Sequence, residues 1–177
     1  MLEKNRLFLI GPMGAGKTTI GKYLAEIVGL PFKDTDQMIE ERTGADIPWI
    51  FDVEGEEGFR RREARVIEEV CADEPAVIAT GGGVVMLEEN RSRIAASGTV
   101  VYLAATIEQQ LERTGKDKNR PLLNTDDPEG VIRELMQHRE TLYLGIADLV
   151  RKSDNKNPRS AAQEISRAVT ELEADQQ

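Results

Sequence analysis

The sequence predicts an α/β protein, a three-layer α/β/α arrangement around a five-stranded parallel sheet. Two observations predict it. Five short apolar or β-branched runs alternate with segments whose apolar residues recur at helical spacing, and strands that alternate with helices pair in parallel with helices on both faces. The first run also ends in a glycine-rich turn that opens a helix, and ligands of such folds gather at the carboxyl ends of the strands. No repeat, low-complexity tract or linker divides the 177 residues, so one domain over residues 1–177 is expected.

Taken in order, residues 6–10 form an apolar run that stops at Gly11, a buried first strand. From Lys17 the apolar positions Ile20, Leu24, Ile27 and Val28 have helical spacing, and Gly29 with Pro31 ends that helix. Residues 32–34 read as a second strand. A helical stretch holding Met38 and Ile39 breaks near Thr43 and Gly44, a short helix follows over 47–53, and residues 58–72 are helical and heavily charged. Residues 76–79 are the third strand and run into Thr80 and three glycines. A helix over 88–96 closes at Gly98, residues 99–103 form a β-branched fourth strand, and a helix spans about 107–113. Residues 114–127 have no apolar periodicity and hold Gly115, Pro121 and several charges, which reads as a mobile loop and an active-site lid. Pro128 opens a long helix through Tyr143, a fifth strand is expected over 147–150, and a terminal helix over 161–172.

Lys and Arg number 23 and Asp and Glu 32, for a formal net charge of −9. That balance argues against nucleic acid or an anionic membrane as partner. No apolar run is long enough to span a bilayer, and residues 1–6 lack the apolar stretch of a signal peptide, so the expected address is the cytoplasm. Cys71, the only cysteine, reads as a packing residue; with His138 the only histidine, a His-based triad or zinc site is excluded. No sustained heptad or apolar stripe is present, so a monomer is expected.

The strongest chemical signal is Gly11-Pro12-Met13-Gly14-Ala15-Gly16-Lys17-Thr18, a phosphate loop with a strand before it and a helix after it. Its glycines let backbone amides turn toward phosphate oxygens, the Lys17 ammonium reaches terminal phosphates, and the Thr18 hydroxyl suits Mg²⁺. No carboxylate ends the third strand. Asp34 and Asp36, leaving the second strand, are the nearest acids: Asp34 suits Mg²⁺ and Asp36 suits an acceptor hydroxyl, the alternative being that Asp36 caps the following helix. Three segments, 60–65, 113–120 and 151–159, each hold four basic residues and one acid. Most members read as solvated faces, but Arg120, beside Pro121 in the loop, is placed to close over phosphates. Gly81, Gly82 and Gly83 would permit close backbone approach to a ligand, or merely make a tight turn.

Together, the phosphate loop, Asp34-Thr35-Asp36, Gly58-Phe59-Arg60, Gly81-Gly82-Gly83, Arg120-Pro121-Leu122-Leu123, and Arg139 with Leu142-Tyr143 resemble bacterial shikimate kinase from about residue 7 to residue 172. The resemblance implies a P-loop kinase fold with a substrate-binding region and a lid, and transfer of the γ-phosphoryl of ATP to the 3-hydroxyl of shikimate with one Mg²⁺. It places Gly14, Ala15, Gly16, Lys17, Thr18 and Thr19 around the phosphates. Thr18 and Asp34 go to the metal, and Arg113, Lys156 and Pro158 to the border of the adenine. Asp36 would bind the ring hydroxyls and Arg60 and Arg139 the carboxylate. Among Gly81, Gly82 and Gly83, Gly82 would give a backbone donor, and Lys17, Asp36 and Arg120 would carry the catalysis. A gluconate-kinase-like enzyme is the nearest rival. A GTPase is rejected because Pro158 stands where a guanine-reading carboxylate would, and a non-catalytic nucleotide sensor would not need Asp36, Arg60 and Arg139.

Overall fold

Leu7, Phe8, Leu9 and Ile10 are all fully buried, and their side chains alternate between two cores. Leu7 and Leu9 pack with one apolar cluster and Phe8 and Ile10 with another. A strand reads as an unbroken apolar run when both faces of its sheet are covered, and this one is the sheet's centre. In the computed structural model, which describes residues 6–115, 117, 119–154 and 157–176, β1 (Leu7–Ile10) is flanked by β3 (Val77–Ala79) and β4 (Thr99–Ala104). β2 (Phe32–Asp34) and β5 (Leu149–Lys152) lie at the edges, in the order β2-β3-β1-β4-β5, with every pairing parallel.

Two helices, α1 (Lys17–Val28) and α7 (Pro158–Ala174), cover one face. The other face carries α2 (Thr35–Thr43), α3 (Ile47–Ala72), α4 (Glu88–Ser97) and α6 (Pro128–Ile146). A short α5 (Ile107–Thr114) leads into the segment before α6. This is the expected three-layer, five-stranded parallel architecture. The two helices expected over 47–53 and 58–72 form one span interrupted at Gly55, whose φ of 71° is a left-handed value that breaks the ladder.

Of the boundaries that differ from the sequence reading, two have a clear local cause. The fifth strand is Leu149–Lys152 and not 147–150, because Ala147 closes α6 by donating its amide to Tyr143 O. Asp148 then ties β5 to β4, donating its amide to Val100 O and accepting Val100 N on its carboxylate. The terminal helix starts at Pro158, three residues earlier than its first apolar position suggests, since Asn157 caps it. Parallel pairing brings the carboxyl ends of β1, β2 and β3 to one edge. Thr80 locks two of them together, its amide and its hydroxyl both donating to Leu9 O. Among the described residues no helix is long and apolar enough to cross a membrane.

Candidate active site

The phosphate loop joins β1 to α1. Gly16 occupies the N-cap of α1 with φ 88°, and no side chain caps the helix, so the first-turn amides remain available to an anion. Lys17 folds onto its own loop, donating to Gly11 O at 2.7 Å and Pro12 O at 2.8 Å. Burial, and then the neighbouring Arg120 cation, pull its pKa down to about 7. A neutral amine retains two N–H donors, the number the two carbonyls accept.

Thr18 Oγ1 donates to Asp34 Oδ2 at 2.8 Å, while Asp34 Oδ1 accepts the amide of Gln37 and caps α2. The cap is therefore Asp34. That decides the alternative left open for Asp36, which lies inside the first turn of α2. Its Oδ1 is buried and lacks a hydrogen-bond partner among the described residues, and burial, then the charge of Asp34, raise its pKa. A cavity of about 290 Å³ joins Gly14, Ala15, Gly16, Lys17, Thr18 and Thr19 to Asp34, Asp36, Gly81, Gly82, Arg113 and Arg120.

A second cavity, of about 50 Å³, shares Asp36, Gly81, Gly82 and Arg120 with the first and adds Gly83, Arg60, Glu63, Arg139, Met13, Phe51, Phe59, Pro121 and Leu122. Arg139 is only 4% exposed, and it makes no ion pair among the described residues; burial lowers its pKa. A buried, unmatched guanidinium is costly unless an anion meets it. Arg60 is bound from below by Glu63, which accepts from its Nη1 at 3.0 Å, and by Glu56 at its Nη2. Within the basic segment 60–65 only Arg60 turns to the cavity, since Arg61 pairs with Glu57 and Arg62 with Glu54.

A side chain at this turn would displace the groups that line the cavity. A Cβ on Gly83 would stand 2.3 Å from the Arg60 guanidinium, and one on Gly81 2.7 Å from Asp36 Oδ1. The amides of Gly81, Gly82 and Gly83 donate to no protein group among the described residues. Glu63 is a residue that sequence reading passed over as one acid in a basic run. It is fully buried, with Oε2 lacking a hydrogen-bond partner among the described residues, and burial drives its pKa up to about 7 even beside Arg60.

A third cavity, of about 280 Å³, continues from Ala15, Gly16 and Thr19 to Arg113, Lys152, Ser153 and Pro158. Arg113 spans from the phosphate loop to the end of β5, donating to Gly14 O at 2.8 Å and Ser153 Oγ at 2.5 Å. Lys156 lies outside the described residues. Arg120 sits in the segment expected as a lid, tied by its Nε to Asp117 at 3.1 Å, and it lines both the phosphate and acceptor cavities.

The three cavities share lining residues: one is bounded by the phosphate loop, one is partly apolar, and one carries two arginines and a carboxylate, a set suited to phosphoryl transfer onto a small anion. Comparison with known proteins gives the family. The shikimate kinase family model matches residues 13–170. The chain belongs to the shikimate kinase family. The enzyme is 52% identical over 171 residues to shikimate kinase of Vibrio parahaemolyticus, covering 97% of this chain and 99% of that one. It is 56% identical over 166 residues to that of Pseudomonas syringae, covering 94% and 96%. Its fold matches a solved shikimate kinase of Acinetobacter baumannii in complex with shikimate at a TM-score of 0.92 and 45% identity, covering 94% of this chain and 93% of that one.

Proposed function

We propose that the enzyme transfers the γ-phosphoryl group of ATP to the 3-hydroxyl of shikimate, giving shikimate 3-phosphate and ADP, a step of chorismate and aromatic amino-acid synthesis. The observation that carries the acceptor assignment is Arg139, buried without an ion pair among the described residues and lining the same cavity as Arg60 and Asp36. A ring acid with vicinal hydroxyls offers a carboxylate to the two guanidinium groups and hydroxyls to the aspartate. The free amides of the 81–83 turn supply neutral donors to the same ligand.

Asp36 lines both the acceptor and the phosphate cavities, so a hydroxyl held there faces the γ-phosphoryl group. The acceptor oxygen attacks phosphorus, the bond to the β-phosphate oxygen breaks, and the hydroxyl proton passes to Asp36. The raised pKa of that carboxyl suits it to accept the proton. Lys17 and Arg120 oppose the charge that spreads over the transferred group. Arg120 already borders both cavities, where it helps to exclude water from the transfer. Arg113 and Pro158 border the adenine.

Thr18 and Asp34 present two oxygens 2.8 Å apart at the phosphate cavity, and no group of three or more acidic, His or Cys ligands occurs among the described residues. That donor set suits Mg²⁺, which binds through one or two protein oxygens and completes its shell with water and phosphate. Bound there, the ion would neutralise charge on the β- and γ-phosphates. We further infer one domain over residues 1–177, acting as a cytoplasmic monomer with neither nucleic acid nor membrane as partner. A coupled ADP-release assay tests the reading: turnover with ATP and Mg²⁺ should depend on shikimate, and gluconate should not replace it. ADP release indifferent to shikimate would overturn it.

A further inference from the structure

Tyr143 is fully buried in α6, one turn after Arg139, and the catalytic reading gives it no task. Its hydroxyl donates to Gly82 O at 2.5 Å. The other two carbonyls of the glycine turn are held by the backbone itself, Gly81 O by the amide of Val84 at 3.2 Å and Gly83 O by that of Met86 at 3.1 Å. Gly82 O is therefore the one turn carbonyl secured by a side chain, and that side chain comes from a helix 61 positions away in sequence.

The peptide joining Gly82 to Gly83 is trans, so its N–H points opposite to its C=O. Fixing Gly82 O fixes the direction of the Gly83 amide, which donates to no protein group among the described residues and belongs to a residue lining the acceptor cavity. The ring itself is clamped against Tyr102 of β4, stacked at 5.0 Å between centroids. Without Cβ atoms the 82–83 peptide has little steric resistance to rotation, so one hydroxyl decides where a ligand-facing donor points.

We infer that Tyr143 is a positioning residue for the acceptor, holding the Gly82–Gly83 peptide in the orientation that a carboxylate-bearing substrate needs. The inference rests on the acceptor assignment above, and wild-type turnover with shikimate tests that assignment alone. The ratio of variant to wild type tests Tyr143. Tyr143→Phe removes one oxygen and keeps the stacked ring. It should raise the KM for shikimate by roughly tenfold, the scale of one lost hydrogen bond to a binding group, while the KM for ATP stays within about twofold and kcat within about threefold.

Incorporating 4-aminophenylalanine at 143 restores a donor and should recover most of the shikimate KM. Tyr102→Phe, which keeps the stack, should leave both KM values unchanged. If Tyr143→Phe is too unstable at 25 °C, the phenylalanine and 4-aminophenylalanine forms are compared at 10 °C, where the same split decides. An unchanged shikimate KM, a parallel fall in all kinetic constants tracking a lower Tm, or no recovery with the amino analogue would each overturn the inference.

Discussion

In the proposed mechanism Asp36 takes the proton and Arg139 holds the substrate, and single substitutions should separate the two kinetically. Asp36→Asn keeps size and removes the proton acceptor, so kcat should fall by about 100-fold or more while ATP affinity changes little. Arg139→Lys keeps charge and loses the planar fork, so it should chiefly raise the KM for shikimate, by about tenfold. Steady-state kinetics with each substrate varied in turn check both, and equal loss of ATP affinity in the two variants would count against the assignments. Glu63 adds a pH signature. Its folded pKa, about 7, lies above its ordinary 4.5, so its contribution to stability is present below pH 4.5 and is lost as pH rises through about 7. Glu63→Gln should flatten that part of the stability profile, measured by denaturant unfolding between pH 4.5 and 7.5. That Lys17, Asp36, Arg60 and Arg139 line two joined cavities accords with the phosphate-loop motif and the family resemblance. The burial of Glu63 was not legible in the sequence, because a glutamate amid arginines on a charged helix has the local signature of a solvated ion pair.

At the scale of elements, the junction of β2 and α2 does two tasks with one side chain. Asp34 caps α2 through Oδ1 and accepts from Thr18 through Oδ2, and Asn caps a helix about as well as Asp. Asp34→Asn should therefore hold stability within about 0.5 kcal/mol while shifting the Mg²⁺ dependence of turnover to higher concentration. Thermal melts and a metal titration read the two effects separately. Sequence patterning located nearly every element, since strands buried on both faces read as apolar runs and glycine or proline punctuates their ends. It failed by a few residues at β5 and α7. β5 is an edge strand with Val150 43% exposed, so its apolar run extends over Ala147, which belongs to the end of α6, and α7 opens on a proline and a cap before its first apolar residue.

For the molecule as a whole, charge distribution matters more than the net −9. Lys17, Arg60, Arg120 and Arg139 converge on the two joined cavities where anions are expected, while Arg61, Arg62 and Arg133 are spent on surface carboxylates. Convergence has a measurable consequence at Lys17. With its pKa about 7 in the free enzyme, Lys17 is largely neutral at pH 8, and the phosphates of ATP restore its charge. ATP binding at pH 8 should take up protons, and affinity should decline from pH 7 to 9; calorimetry in buffers of different ionisation enthalpy measures the uptake, and Lys17→Met should abolish it. The unfolded chain retains the lysine proton to about pH 10.5, so this residue alone makes the free fold gain stability as pH rises from 7. The layer architecture, the phosphate loop and the family could be read along the chain, because local sterics and hydrophobic period are written in neighbouring residues. Packing in three dimensions settled which aspartate caps α2, that the buried Arg139 has no ion pair among the described residues, that Glu63 is buried and that Tyr143 holds Gly82. Those depend on burial and pairing between elements far apart in the chain, where desolvation and long-range hydrogen bonds are set by packing and not by local pattern.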